Sequence, residues 1–488
     1  MSRLRILLIL FFASLSAYFG YLALTKPEGA RAAAVPGLGE TVPWGTDCTA
    51  FARRADVPIF FELAGFNFVR SERVGEVLKK HYVQTVLDPE AFPADYRVLQ
   101  KIFAKSGAKG EPRVGILSSK GFPLYLASSL SGDSNAQTKE EVAVIGSLNA
   151  YVRQRSAVNS GVRVALKVAS SDKKISDFPT AFAGENSLGL LENLKMIFAA
   201  GAWGNVTAVF TENCRIAARV SGVNRSLLAL EVRKAALNSL LDSGKTNLDG
   251  RQRLLVARAL SEFVLVGDSN SARKRFFEIL SDLEKSVEPS GLLTFEGRAK
   301  TRENALLLSL YARAYKISGS GEYLEKLKSL GDLLEARLGE SYIYPALLLK
   351  DGKPVNSQAS SVDYSLLLRA WVDCYLACGD KNFLRLSLAT LDRFDVEFAD
   401  NRTGAWFTNA QSSIFAESFR YKEERDLNYP SPIGEGAQAL ADIHNVRGEI
   451  PMRLFKIMSP LNSIFSLRGF DKASLKLAML ANPMLGAR

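Results

Sequence analysis

Sulfur and imidazole are scarce in this chain: 488 residues carry four cysteines and two histidines. Cys48, Cys214, Cys374 and Cys378 are too few and too scattered for a disulfide framework or a zinc site. Cys374 and Cys378 stand four apart within a helical pattern and so share a face, which suits core packing better than a redox pair. With only His81 and His444, mechanisms that need paired imidazoles are disfavoured. Long blocks of one charge are also missing. The formal net charge of +11 is spread along the sequence, which argues against nucleic-acid binding. It leaves a basic surface facing anionic lipid or an acidic partner as a possibility. No residue pattern requires a metal or a cofactor.

At 47% hydrophobic residues the chain can bury large cores, and its length suggests several domains. Arg3 and Arg5 precede Ile6 to Leu24, an uncharged apolar run long enough to cross a bilayer of about 30 Å as a helix. Positive charge on the short leading side predicts an anchor over residues 1–25 with the bulk of the chain exported. Small residues at 30–34 leave cleavage and secretion as the alternative. Residues 26–40, rich in Ala, Gly and Pro, read as a tether.

From Pro43 to Pro123 the texture alternates. An amphipathic segment, Thr46 to Ala55, leads to the apolar run Val57 to Leu63, which predicts a buried strand. A helix pattern over Ser71 to His81 and a strand over Tyr82 to Leu87 follow. Glu111 to Leu117, a turn at Ser118 to Gly121, and Phe122 to Leu126 complete a hairpin. Strands alternating with helices and ending in a hairpin predict a small thioredoxin-like α/β domain over residues 41–130. Pro112 stands where such folds keep a cis proline beside the active loop, so it is a candidate groove residue.

Beyond about residue 131 amphipathic helices dominate. The stretch from Thr138 to Val220 is hard to read. After it, one helical hairpin recurs: Leu254–Val266 with Ala272–Ser286, Ala305–Ile317 with Glu322–Leu338, and Ser365–Ala377 with Phe383–Phe394. Turn glycines stand at 267, 319 and 379. Such a unit cannot bury its apolar face alone and must pack on its neighbours. A closed ring of α-hairpins, an α/α toroid over residues 131–488, satisfies every copy, with an open solenoid as the alternative. The expected class is therefore α+β and multidomain, a thioredoxin-like domain followed by a six-hairpin type toroid.

The order Pro43-Trp44-Gly45, Phe51-Ala52-Arg53, Pro58-Ile59-Phe60, Val74 to Leu78, Val83 to Asp88, Pro112 and Gly121-Phe122-Pro123 resembles the thioredoxin-like module of the uncharacterised family that includes spermatogenesis-associated protein 20. Gly319 to Leu324, Asp363-Tyr364, Tyr421 to Asp426, Pro430-Ser431 and Gly434 to Ala437 are similar too. That family fuses the module to a toroid resembling six-hairpin glycosidases and sugar epimerases. This chain departs from it where the family has chemistry. The family's Cys-His-Trp-Cys-His loop is replaced by Leu63-Ala64-Gly65 running into Phe66-Asn67-Phe68, and thiol exchange needs two sulfurs there. Of a second family stretch, His-Phe-Glu-Lys-Met-Leu-Tyr-Asp, at most Asp249 survives.

Two functions follow as expectations. The first is a membrane-tethered accessory or binding module, redox-inactive, taking a protein or carbohydrate ligand. The second is a carbohydrate-active enzyme, a hydrolase or isomerase, with carboxylates in the toroid bore. Candidate catalytic residues are Asp363, Asp426 and Glu435, because glycoside hydrolysis uses paired carboxylates as acid and as base or nucleophile. Asp363 and Glu303 also sit near helix starts, where a carboxylate meets the helix dipole without any catalytic role. Candidate substrate contacts are Trp203, Trp406 and Tyr429, beside Pro112. Trp371 lies in an apolar helix and reads as core.

Overall fold

The computed structural model describes residues 40–66, 72–105, 110–128 and, with short interruptions, 206–458, together with isolated positions at 192–198 and 477. The expected anchor at Ile6 to Leu24 and Trp203 lie outside them. No helix among the described residues is long and apolar enough to cross a membrane. The chain divides into two compact units, one of residues 1–174 with Asn409–Tyr421, the other of residues 175–408 and 422–488.

The first unit contains α1 (Thr46–Ala55), β1 (Ile59–Leu63), α2 (Glu72–His81), β2 (Val83–Leu87), α3 (Pro93–Lys105), β3 (Val114–Leu117) and β4 (Pro123–Ala127). The strands form one sheet in the order β2-β1-β3-β4, with β1 parallel to β2 and antiparallel to β3, and β3 antiparallel to β4. β1 is apolar almost throughout because both of its faces are covered. Phe60 joins Val74, Leu78, Tyr82 and Ile116 on one side, while Phe61 meets the Trp44 ring edge-on at 5.4 Å. Gly115 is required by that packing: a Cβ there would stand 2.6 Å from the Phe61 ring and 2.8 Å from the Tyr125 carbonyl oxygen.

The late segment 409–421 completes this core. Phe415 packs against Trp44, ring centroids 6.4 Å apart. Asp95, on α3 and 1% exposed, accepts hydrogen bonds from Trp44 Nε1–H (2.8 Å) and from the Ser413 hydroxyl. Burial pushes Asp95 up to about 6, against the opposing pull of those two donors. No cation among the described residues offsets the burial.

The second unit is built of helical hairpins: α4 (Ala208–Val223) with α5 (Leu227–Ser243), α6 (Gly250–Gly267) with α7 (Asn270–Glu284), α8 (Thr301–Ser318) with α9 (Gly321–Leu338), and α10 (Ser361–Cys378) with α11 (Lys381–Phe398). α12 (Pro432–Arg447) and the short α13 (Met452–Met458) follow. Strands β5 (Arg298–Lys300) and β6 (Leu347–Lys350) pair antiparallel at one edge. α4, α6, α8, α10 and α12 pack successively side by side. These inner helices are buried on nearly all sides; in α10 the run Asp363 to Cys374 is buried without a break. Outer helices bury only a stripe, as α5 does with Ala229, Val232, Ala236 and Leu240, the spacing of a one-sided helix.

The turn glycines have two different reasons. Gly319 and Gly379 end α8 and α10 in the left-handed conformation, φ 67° and 71°. Gly267 does not adopt it; the Arg233 guanidinium, donating to the Phe263 carbonyl (3.3 Å), lies across the space where its Cβ would stand.

Candidate functional site

Inner helices of an apolar bundle have no water to offer a charge, so each buried ion needs a partner of opposite sign. The second unit meets this with a belt of arginines and carboxylates that runs around the inner helices. On α10, Arg369 donates to Asp373 (Nε to Oδ1, 3.0 Å) and to Asp442 of α12. Asp373 also accepts from the Ser309 hydroxyl of α8 and lies 3.5 Å from Arg313 Nε. Arg313 donates to Glu262 of α6 (3.0 Å) and to Ser261 Oγ (3.1 Å). Glu262 also takes Arg219 of α4 (2.6 Å) and faces Arg215 Nε at 3.5 Å. Arg215 then returns to α12 through Glu435 (3.4 Å) and Gln438 (3.3 Å). The circle of five helices is closed by charge.

Inside this belt Glu212, Arg215, Arg258 and Glu435 form a compact four-membered cluster, with Arg258 Nη2 donating to Glu435 Oε2 and Nη1 3.7 Å from Glu212 Oε1. Burial opposes ionisation of every carboxylate here, and the arginines decide the outcome. Arg219, Arg313 and Arg215 hold Glu262 well below the usual carboxylate range despite its burial. Asp373 is likewise lowered, by Arg369 and Arg313. In the cluster, burial raises Glu212 beyond what Arg215 and Arg258 offset, whereas Glu435 is held down by Arg258 and Arg215.

At the C-terminal ends of the inner helices the belt borders a cavity of about 220 Å³. Glu262, Asp373 and Asp442 face it together with Arg219, Arg313, Lys316 and Arg369, and Leu265 and Leu376 form apolar parts of its wall. Each of the three carboxylates is ion-paired to an arginine. The cavity can therefore offer fixed acceptors and donors side by side.

The carboxylates expected to act together are found apart, in three separate networks. Asp363 has no exposed surface; its Oδ2 accepts from the Ser360 N–H and hydroxyl, both at 2.7 Å, and so closes the first turn of α10. Its Oδ1 lies 3.7 Å from Arg302 Nε. Asp426, equally buried, accepts from the Ser431 N–H at 2.8 Å and shapes the turn before α12. Glu435 belongs to the belt. Asp363 starts the helix whose far end, at Leu376, borders the cavity, about 20 Å away at 1.5 Å rise per residue.

The aromatic candidates also divide. Trp406 is fully buried, stacked on Phe394 at 4.6 Å and 4°, with Nε1 donating to Asp395 (2.7 Å) and the Arg453 guanidinium 4.6 Å from its ring centre. No ring surface is left to a ligand, so the expectation of a sugar platform is corrected. Trp371 is core, stacked near Phe383. Tyr429 is half-buried, its hydroxyl donating to Glu303 (3.0 Å), with Arg302 5.3 Å above the ring. Pro112 is buried just before β3, and its peptide bond is trans, as are all others among the described residues.

Cys48 is buried on α1, its thiol donating to the Gly45 carbonyl (3.2 Å), and burial pushes it up to about 12. Among the described residues every cysteine is free, and no group of three or more His, Cys, Asp or Glu side chains is placed to hold a metal. The belt itself left a trace in the sequence. Glu212 with Arg215 and Arg369 with Asp373 are opposite charges three and four apart inside largely apolar helices, and both are ion pairs.

No family model and no curated protein matches the chain. Solved structures do. A GH76 alpha-mannanase of Bacteroides thetaiotaomicron is 13% identical at a TM-score of 0.46, over 61% of this chain and 95% of that one. The GH76A alpha-1,6-mannanase of Salegentibacter sp. HEL1_6 is 12% identical at 0.48, over 62% and 99%. The unsaturated glucuronyl hydrolase of Bacillus sp. GL1 is 12% identical at 0.47, over 62% and 96%. At these identities and scores no reaction or ligand carries over to this chain.

Proposed function

We propose that the second unit binds a small polyhydroxylated ligand, of the size of one sugar ring, in the cavity at the C-terminal ends of its inner helices, and does not cleave it. One observation carries this reading: every carboxylate facing the cavity is ion-paired to an arginine, Glu262 to Arg219 and Arg313 and both Asp373 and Asp442 to Arg369. Adjacent fixed acceptors and donors suit neighbouring hydroxyl groups, which both donate and accept. A volume of about 220 Å³ falls below the roughly 300–1,000 Å³ of sites for larger ligands. In the same proposal the first unit is a thioredoxin-like module kept without redox chemistry, kin to the family with spermatogenesis-associated protein 20. Ile6 to Leu24 tethers the chain to a membrane with its bulk exported.

Titration of the full chain with the methyl glycosides of mannose, glucose and glucuronic acid, followed by calorimetry, tests the binding site. At least one is expected to bind saturably at one site, and Asp442→Ala to weaken it about tenfold or more, the loss of a hydrogen bond to a charged group. A panel with no binding, or binding indifferent to Asp442→Ala, contradicts the proposal.

A second reading, catalysis on carbohydrate, is favoured by one observation. Glu212 and Glu435 face the same two arginines, Arg215 and Arg258, in one buried cluster, and two carboxylates sharing a site is the arrangement an acid and its partner base use. Both are buried, so this reading requires the cluster to open to substrate.

A further inference from the structure

The large apolar side chains that remain exposed in the second unit are unevenly placed. Leu265 (37% exposed) is in the last turn of α6, Leu376 (40%) in the last turn of α10, and Val446 (38%) in the last turn of α12. Leu227 and Leu230 open α5, immediately after α4 ends. All five lie at the end of the bundle where the inner helices finish. Val396, near the end of the outer helix α11, is the exception. Scattered exposed leucines need no explanation, but a cluster around an opening does.

This apolar rim is continuous with the polar cavity. Leu265 and Leu376 are at once exposed and part of the cavity wall. Val446 stands one turn beyond Asp442, which faces the same cavity, so the two share a face of α12. A ligand seated on the charged floor must therefore leave across leucine and valine. A free sugar would leave that rim wet; a protein side chain would fill the hole but cannot supply several hydroxyls to its paired charges. One kind of molecule matches both parts.

The geometry points to an amphiphile as the ligand: a single polyhydroxylated head group in the cavity and an alkyl or acyl chain lying over Leu265, Leu376 and Val446. This rests on the binding reading above and narrows it from sugars to glycolipid-like molecules.

The test compares methyl, hexyl and octyl glycosides of mannose and glucose against the full chain by calorimetry, each below the concentration at which it forms micelles. Affinity is expected to rise about twofold to fourfold per added methylene, the upper figure corresponding to full burial. Leu265→Ser with Leu376→Ser is expected to flatten that rise, as is Val446→Ser to a lesser degree, while Val396→Ser at the other end leaves it unchanged. Equal affinities for methyl and octyl glycosides overturn the amphiphile inference and leave the head-group site standing. A rise indifferent to the rim substitutions, or equally sensitive to Val396→Ser, also overturns it. Binding of none of the glycosides removes both inferences together.

Discussion

The two units bury their acids in opposite ways. In the first, Asp95 is enclosed with neutral donors alone, Trp44 and Ser413, and its carboxyl rises to about 6. In the second, Glu262, Asp373 and Glu435 are enclosed with arginines and are lowered. Burial is nearly the same in both places, so the sign of the shift comes from the partner and not from depth. A group kept neutral can be ordered by single hydrogen bonds. Groups kept charged must be linked until every charge is met, which is why the belt extends over five helices.

The largest expected effect breaks the belt. Arg215→Met leaves Glu212 and Glu435 short of a buried counter-ion and is expected to cost about 3–5 kcal/mol in urea unfolding. A loss below about 1 kcal/mol would mean that the belt is not load-sharing as described. Next comes pH, where the units should diverge. Asp95 has a folded value above its unfolded one near 3.8, so its contribution is fully present below about pH 4 and is lost as pH rises through about 6. The loss amounts to about 3 kcal/mol. Asp95→Asn should then match the parent at pH 4 and exceed it in stability at pH 8. For the belt the sign is reversed, because lowered carboxylates give stability above their unfolded values that fades as pH falls below about 4.5. Peptide-resolved hydrogen exchange at pH 4 and pH 8 separates the two, and parallel behaviour of both units would contradict the contrast.

Smaller effects sharpen the account of individual residues. Asp363→Ala is expected to lower stability by about 1–2 kcal/mol, as loss of a helix cap does, with glycoside affinity unchanged. A lost affinity would restore Asp363 to a ligand site. The smallest effect concerns thiols: iodoacetamide at pH 8 should label Cys378, which is half-buried, before Cys48, Cys214 and Cys374, which are buried. Fast labelling of Cys48 would contradict its raised thiol.

The helices and strands were legible because their signals are local. Apolar runs such as Ile59 to Leu63 and the recurring hairpins need only neighbouring residues to be read. The strand order was not legible, because β2-β1-β3-β4 rests on β1 pairing with β3 more than 50 residues away. Of the belt only the pairs within one helix left a trace; its closure between helices was not legible, since Arg215 meets Glu435 from 220 positions away. Sequence singled out Glu435 as a catalytic candidate together with Asp363 and Asp426, of which the fold uses Asp363 to cap α10. Trp406 misled for a related reason: an indole beside a turn suits a platform until Phe394 and Arg453 pack against it and bury it. The segment 409–421 could not have been assigned to the first core, because nothing in its own pattern names Trp44 or Asp95.

The most direct test of the closed, proton-poor belt is release of reducing ends from oligosaccharides and aryl glycosides across pH 4 to 8, measured on samples shown to bind a methyl glycoside. The expected result is binding without turnover at any pH. A pH-dependent release that disappears in Glu435→Gln would contradict it and establish the buried pair as a catalytic one.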